Sequence, residues 1–368
     1  MAGFSVTEPR VALEVSTLCE RHRTGTGRYA LSLLAALDQR TDLPPAKLLY
    51  RLSRWRRRHL RHAPERSRWY VEGLPPPLGL GCSVVHGTDL RVPGWRGLAR
   101  VATLHDVFHV LPFSSGWASE AFRVRSRTMY ARLARDAEWI ISVSAASRAD
   151  FLAAYDFPAE RITVIPHGVD AAFVPQTATV LAELRQRLDL TRPYVLHVGA
   201  LAIRKNLPRL IRSFAAGLSG SHDLLLAGPA ADDLPAIHAA IATAGLERSV
   251  RFLNYVADAD LPALYAGAAL LAMPSFYEGF GLPVLEAMAC GTPVLTADRG
   301  GTAEIAGGHA LLVDPHDDQA LTEILRRAAV MPAAQRTAAR AHAAAFTWAA
   351  AAEATVTVYR KALDLHRG

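Results

Sequence analysis

Cysteine is scarce in this chain: three residues in 368, Cys19, Cys82 and Cys290. They lie far apart and form no Cys-x-x-Cys pair. That excludes a disulfide framework, argues against a structural zinc site and suits a reducing compartment. Long apolar runs are missing as well. The longest uncharged stretch, 261–277, is broken by Pro262, Gly267 and Pro274, so it predicts a helix, a buried strand and a loop, not a membrane span. At the start of the sequence, Glu8 and Pro9 stand where a signal peptide needs an apolar core. No Tyr-x-x-x-Lys pair occurs, and no Asp-x-Asp pair reads as a metal-binding donor site. Charged residues are 20% of the chain against 51% hydrophobic. That balance excludes a disordered chain, and the length suits two cores better than one.

The charge that is present is unevenly placed. Lys and Arg number 41 against 34 Asp and Glu, for a net +7. The segment 51–68 holds eight arginines and one acid, Glu65, so it carries an excess of +7 alone and leaves the rest of the chain neutral. A nucleic-acid binder spreads its basic footprint more widely, so no nucleic-acid partner is expected. A local basic patch with Trp55 and Trp69 makes an anionic membrane surface or an anionic acceptor a candidate partner. A solvated arginine-rich loop or helix is the alternative.

Short β-branched runs alternate with longer alanine-rich ones. Strands are predicted at 10–15, 83–86, 101–104, 139–143 and 162–165, with helical periodicity at 29–37, 120–135 and 145–155. The rhythm restarts after residue 190, with strands at 194–198, 223–227, 250–253, 270–273, 294–296 and 310–313. Between them, 166–175 holds two prolines and a glycine and has little periodicity, which marks a linker. The fold class is therefore α/β, with two doubly wound, Rossmann-like domains facing a central cleft. The first takes residues 1–170 and is completed by a terminal helix at 347–368; the second takes 171–346. Ligands bind such sheets at the C-terminal ends of the strands.

The second half carries the chemistry. In Met273-Pro274-Ser275-Phe276-Tyr277-Glu278-Gly279-Phe280-Gly281-Leu282-Pro283, a buried strand ends, a glycine-containing turn follows, and Pro283 suits the first turn of a helix that Gly291 terminates. Backbone N–H groups of Gly281 and Leu282 then sit at a positive helix end, an anion site suited to a diphosphate. Glu278 in the loop and Glu286 in the first helical turns can each accept two hydrogen bonds from a vicinal diol, such as a ribose or a hexose offers. Either glutamate alone reads as readily as a turn acid or a partner of the helix dipole. A second string, Tyr194 to Phe214, runs a strand into Gly199 and sets Arg204 and Lys205 just before a helix. Two cations there oppose the helix dipole unless an anion is bound, so they suit a leaving diphosphate and can do a metal ion's work. A third, weaker piece is the loop after the strand at 250–253, where Tyr255 and Val256 offer backbone groups to a nucleotide base.

Together these strings resemble the retaining nucleotide-sugar glycosyltransferases of the GT-B fold, specifically family four, the group 1 type. The resemblance rests on Glu278-x7-Glu286, on Gly199 with Arg204-Lys205-Asn206, on His167-Gly168-Val169-Asp170 and on Phe346-Thr347-Trp348. It covers nearly all of the second domain. Over the first it rests on Gly25-Thr26-Gly27-Arg28-Tyr29-Ala30 and on Leu104-His105-Asp106-Val107. It implies that Glu278 binds the donor sugar, Glu286 the ribose, and Arg204 and Lys205 the diphosphate, with Gly279, Phe280, Gly281 and Leu282 forming the loop around it. His105 would sit beside the transferred sugar. Gly25 and Gly27 would form a loop near the acceptor and the donor phosphate. Many relatives carry arginine directly after the strand glycine; here Ala200 follows Gly199, so Arg204 or another cation has to meet part of the phosphate charge. His86, His109 and His197 read as structural.

The resemblance also implies front-face transfer with retention, no protein nucleophile, and no cofactor or metal. The Arg-Lys-Asn-Leu string resembles mannosyltransferases that use GDP-mannose. The expected partners are a nucleotide-sugar donor and a glycan or lipid-linked acceptor in cell-envelope polysaccharide biosynthesis. The expected location is cytoplasmic, peripheral on the inner membrane face. The alternatives are a nucleotide-sugar epimerase, a basic membrane- or anion-binding module, and an NAD(P)-dependent oxidoreductase. For the last, Gly25 to Ala30 fits G-x-G-x-x-A, but 16–24 separates it from the first strand.

Overall fold

A computed structural model describes residues 8–328 and 332–368. It divides into two compact units, one running up to Gly168 and taking in Thr347–Gly368, the other Val169–Phe346. The division falls between Gly168 and Val169, inside the segment read as a linker.

The first unit contains β1 (Val11–Glu14), α1 (Gly25–Asp38), β2 (Lys47–Arg51), β3 (Ser67–Tyr70), β4 (Val84–Gly87), β5 (Ala99–Leu104), α2 (Glu120–Asp136), β6 (Trp139–Ser142), α3 (Ala145–Ala154) and β7 (Ile162–Val164). The strands form one parallel sheet in the order β3-β2-β1-β4-β5-β6-β7. Two of them, β2 and β3, carry arginines on the sheet edge and were not visible as strands in the sequence. The helix expected at 29–37 begins four residues earlier, because the Thr24 side chain accepts from Gly27 N–H and caps it.

The second unit contains α4 (Ala178–Arg187), β8 (Tyr194–Val198), α5 (Leu207–Gly217), β9 (Asp223–Ala227), α6 (Leu234–Ala244), β10 (Val250–Asn254), α7 (Leu261–Ala266), β11 (Leu270–Met273), α8 (Leu282–Ala289), β12 (Val294–Ala297), α9 (Gly300–Ala306), β13 (Leu311–Val313), α10 (Asp318–Ala328) and α11 (Ala333–Ala344). Its parallel sheet has the order β10-β9-β8-β11-β12-β13. Strands such as β9 and β11 are buried along their whole length, as a sheet covered on both faces requires. The expected strands all form, with ends within two residues. The stretch 261–277 resolves into α7, β11 and a loop.

The last helix, α12 (Trp348–Arg367), returns to the first unit, where it packs against α1 and β5. Its buried face, including Val356, Tyr359 and Leu363, completes that unit's core. A Cβ on Gly168 would stand 2.2 Å from the Trp348 nitrogen, so only glycine lets the two backbones meet there. Tyr359 Oη lies 2.7 Å from His86 Nδ1, His86 Nε2 lies 2.8 Å from Thr103 Oγ1, and Thr103 lies 2.8 Å from Tyr29 Oη. This wholly buried chain fastens α12 and α1 to the centre of the sheet. His86 is thus tied into the packing. Replacing Tyr359 with Phe leaves His86 Nδ1 without its partner and should lower unfolding stability by about 1–3 kcal/mol. Denaturant melts of both proteins measure it; equal midpoints would remove the chain from the account.

Candidate active site

In the second sheet the strand order reverses between β8 and β11, which are neighbours. Such a switch point opens a crevice at the strands' C-terminal ends, because the connections leave in opposite directions. The two most informative strings of the sequence follow these two strands. Lys205 closes a 3-10 turn (Ile203–Lys205) after β8, and Glu278 lies in the loop after β11.

The structure joins them. Both Arg204 Nη1 and Lys205 Nζ donate to the Glu278 carboxylate, one to each oxygen. Arg204 Nη1 also donates to the Tyr277 carbonyl at 3.2 Å. Glu278 and Lys205 are buried, whereas the Arg204 side chain is 30% exposed. Burial pushes the Glu278 carboxyl up, but the adjacent Arg204 and Lys205 outweigh it and hold the pKa at about 2. The cluster therefore stays ionised through the physiological range, with two cations around one anion.

Backbone geometry fixes the cluster. Asn206 adopts a left-handed conformation and donates its Nδ2 to the carbonyls of Pro274 and Pro315 at 3.1 and 2.8 Å. Phe276 N–H donates to the Arg204 carbonyl at 2.8 Å. These bonds tie the start of α5 to the end of β11. A Cβ on Gly199 would lie 3.3 Å from Lys205 Cε and Nζ, so a side chain there would crowd the ammonium. Gly281, with φ near +118°, turns the loop into α8. The N–H groups of Gly281 and Leu282 have no hydrogen-bond partner among the described residues, as a helix start leaves them. They are available to an anion.

Gly300, Gly301 and Ser275 around the cluster carry no reading from the sequence, and His197, read there as structural, lies beside it. The tandem Gly300-Gly301 opens α9, and Gly301 N–H donates to the Glu278 carbonyl at 2.9 Å. A Cβ on Gly301 would stand 2.2 Å from the Gly279 oxygen. A glycine pair two residues beyond a strand was the available signal. His197 on β8 lies with Nδ1 3.1 Å from the Ala272 carbonyl, while its buried Nε2 has no partner. Burial and Lys205 push its pKa down to about 4, so its ring is neutral. Ser275 Oγ, at the end of β11, is likewise buried without a partner.

Other predicted residues are placed differently. Glu286 is buried within α8, where Tyr265 Oη donates to its Oε2 at 2.8 Å, so it belongs to a separate contact from Glu278. Tyr255 and Val256 follow β10 at the same sheet edge, two strands from β8. His105, Gly25 and Gly27 lie in the first unit. His105 ends β5, its Nε2 2.9 Å from the Thr88 carbonyl and its ring edge-on to Tyr29. Gly25 and Gly27 do not form a loop. They are in the first turn of α1, and neither has positive φ. With β1 ending at Glu14, the tight strand–turn–helix of a dinucleotide fingerprint is absent.

The structure also places two features that the sequence raised. Asp258-Ala259-Asp260 does form an Asp-x-Asp string, but Asp260 precedes α7 and pairs with Arg187 at 2.6 Å. Among the described residues no group of three or more metal-ligating side chains occurs. Nor is the 51–68 segment a uniform field of free charge. Arg51 faces Glu14, Arg54 and Arg57 pair with Glu20, and Arg66 pairs with Asp38. Its acids come from β1 and α1 and the turn between them, which local sequence could not reveal.

Comparison with known proteins agrees with this geometry. The family model "Glycosyl transferases group 1" matches residues 182–345, and "Glycosyltransferase Family 4" matches 23–173. The chain belongs to the group 1 glycosyltransferases. It is 29% identical over 243 residues to the O-antigen chain mannosyltransferase B of Escherichia coli, covering 65% of this chain and 63% of that protein. It is 37% identical over 260 residues to a D-inositol 3-phosphate glycosyltransferase of Salinispora tropica, covering 63% and 52%. The matched stretch thus spans about half to three-fifths of these relatives. In three dimensions it resembles Anabaena HepE in complex with UDP and glucose, with TM-score 0.76, 22% identity, and 95% and 99% of the two chains covered. That likeness establishes the fold, the two-domain GT-B architecture.

Removing the carboxylate charge with Glu278→Gln leaves a buried ammonium unpaired and should destabilise the second unit by about 3 kcal/mol near pH 7. The folded pKa of Glu278 lies below its ordinary value of 4.5. Its contribution is therefore complete above that value and is lost as pH falls toward about 2. Unfolding curves of the two proteins should converge on acidification; a gap independent of pH would contradict the ion cluster.

Proposed function

We propose that the chain is a retaining, metal-independent hexosyltransferase that uses a nucleotide sugar, with mannose from GDP-mannose as the transferred group. Its acceptor is a glycan or lipid-linked saccharide in cell-envelope polysaccharide biosynthesis. The observation that carries the reading is the Glu278 carboxylate seated between Arg204 and Lys205. A donor's sugar and diphosphate are joined through one oxygen, so the groups that recognise them have to be neighbours. A carboxylate accepts from sugar hydroxyls, and the two cations meet phosphate oxygens.

In this reading Arg204, Lys205 and the N–H groups of Gly281 and Leu282 stabilise charge on the departing diphosphate. Gly199 leaves room for Lys205. Glu286 receives the ribose, and the loop at Tyr255 and Val256 receives the base. Two strand spacings separate that loop from β8, roughly 10 Å, a reach that suits a nucleoside. His105 and the α1 start at Gly25 and Gly27 act from the first unit on the sugar and the acceptor. The acceptor oxygen attacks the anomeric carbon on the face from which the diphosphate departs. The electrons of the breaking C–O bond pass to the phosphate oxygen, which takes the acceptor proton. No protein nucleophile is needed, and the cation pair takes a metal's place.

Mannose is favoured because relatives include O-antigen mannosyltransferase B and the serotype-specific mannosyltransferase WbdA of Escherichia coli. We place the enzyme in the cytoplasm, peripheral to the inner membrane face through the exposed Trp55 and its arginine neighbours. Among the described residues no helix is long and apolar enough to cross a membrane.

Glu278→Ala and Lys205→Ala should each cut sugar transfer by roughly a thousandfold while circular dichroism reports a retained fold; near-normal turnover in either would remove that residue from the site. Transfer should persist in excess chelator, and loss restored by magnesium would refute the cation-pair mechanism. In a thermal-shift panel of sugar nucleotides, GDP-mannose should raise the melting temperature most; a larger shift with another donor would displace mannose.

A further inference from the structure

A second concentration of positive charge lies wholly within the first unit. A groove of about 930 Å³ opens there, and its lining includes Arg51, Arg54, Arg91, Arg125, Arg132 and Arg135 against two acids, Glu72 and Asp136. The topology explains why it exists. The connection from β2 to β3 is a 3-10 segment, and that from β3 to β4 is an irregular loop. This end of the sheet therefore lacks the covering helix that a strand–helix–strand unit supplies. The groove is left between the ends of β2 and β3, the loop at 90–94 and α2.

The charge in the groove is incompletely satisfied. Arg51 Nε lies 3.4 Å from Glu14 Oε1 without hydrogen-bond geometry. Its Nη2 is buried without a partner, as is Glu14 Oε2. Burial and nearby Asp89 push the Glu14 carboxyl up to about 7, so it neutralises Arg51 only in part. Arg91 and Arg132 make only loose pairs at 3.9 Å, with Asp89 and Glu72. Arg125 makes no ion pair among the described residues. Buried guanidinium nitrogens without partners are rare in folded proteins and ask for a ligand. A planar guanidinium fork matches phosphate oxygens.

The rim is apolar. Leu52, Val71 and Leu74 are 47%, 40% and 56% exposed, and each is next in sequence to a lining residue. Cations beside apolar side chains suit a ligand with an anionic head and a hydrocarbon tail.

From this juxtaposition we infer that the groove binds the phosphate or diphosphate head of a lipid-carried acceptor, as a second anion site separate from the Arg204–Lys205 cluster. The inference rests on the glycosyl-transfer reading for the use of that ligand, not for its binding.

Calorimetric titration tests it, with inorganic pyrophosphate and geranyl diphosphate as probes. Wild type should show two pyrophosphate sites. Lys205→Met should lose one and keep the other. The double variant Arg125→Ser/Arg132→Ser, at exposed positions on α2, should weaken the remaining site roughly ten- to hundredfold and leave the first unchanged. At the groove site geranyl diphosphate should bind about tenfold more tightly than pyrophosphate, the gain from burying part of its chain. A double variant that keeps both sites overturns the groove assignment and leaves the donor reading standing. Loss only in the double variant, with Lys205→Met unaffected, supports the groove and sinks the donor cluster instead. Equal affinity for the two probes overturns the lipid assignment. So does a double variant that loses binding to phosphatidylglycerol vesicles but not to pyrophosphate, since the arginines then serve a membrane surface.

Discussion

One buried carboxylate organises the second unit. Glu278 sits between Arg204 and Lys205, and each of the three would be costly in that position alone. An unpaired ammonium or carboxylate removed from water loses several kcal/mol of solvation; here each has an opposite charge within hydrogen-bonding distance. The surrounding backbone is arranged for this contact. Asn206 pins the 3-10 turn that carries the cations, Gly199 makes room for the Lys205 stem, and Gly300-Gly301 lets the glutamate's loop lie directly on the next helix. The substitutions least tolerated here are predicted to be glycines and an asparagine as much as charges.

The same contact reconciles stability with chemistry. A preformed pair of cations stabilises a departing diphosphate only if they are held in place before it arrives. A carboxylate can hold them and still accept from sugar hydroxyls with its remaining lone pairs. The switch point between β8 and β11 is what brings these groups together, since they come from loops about 70 residues apart, Arg204 and Glu278 being separated by 74 positions.

Much of this was legible in the sequence where the chain makes its structure locally. Fully buried parallel strands, such as β9 and β11, announce themselves as short apolar runs, and Pro283 with Gly291 bracket α8. The strings after β8 and β11 are readable because loop, helix start and charge are contiguous. What failed was what depends on distant partners. β2 and β3 hide under arginines, and four of the eight in 51–68, Arg51, Arg54, Arg57 and Arg66, face acids from β1, α1 and the turn between them, so a partly paired sheet edge looks like a free basic patch. Gly25 and Gly27 belong to a helix turn and not a loop because Thr24 Oγ1 accepts from Gly27 N–H and caps α1. Local sequence shows Glu278 and the two cations as separate features; their direct pairing requires the fold. His197 and Ser275, with buried polar atoms left unpaired, carry no sequence signal at all.

The account's central claim is that one carboxylate reads the sugar while two neighbouring cations read the diphosphate. Calorimetry of Glu278→Ala with a nucleoside diphosphate and with its sugar conjugate separates the two roles. The nucleoside diphosphate should bind as well as to wild type or better, because the cations are released, and the extra affinity contributed by the sugar should disappear. If both ligands weaken in parallel, or the sugar's contribution survives intact, Glu278 is only a structural counter-ion and the claim is wrong.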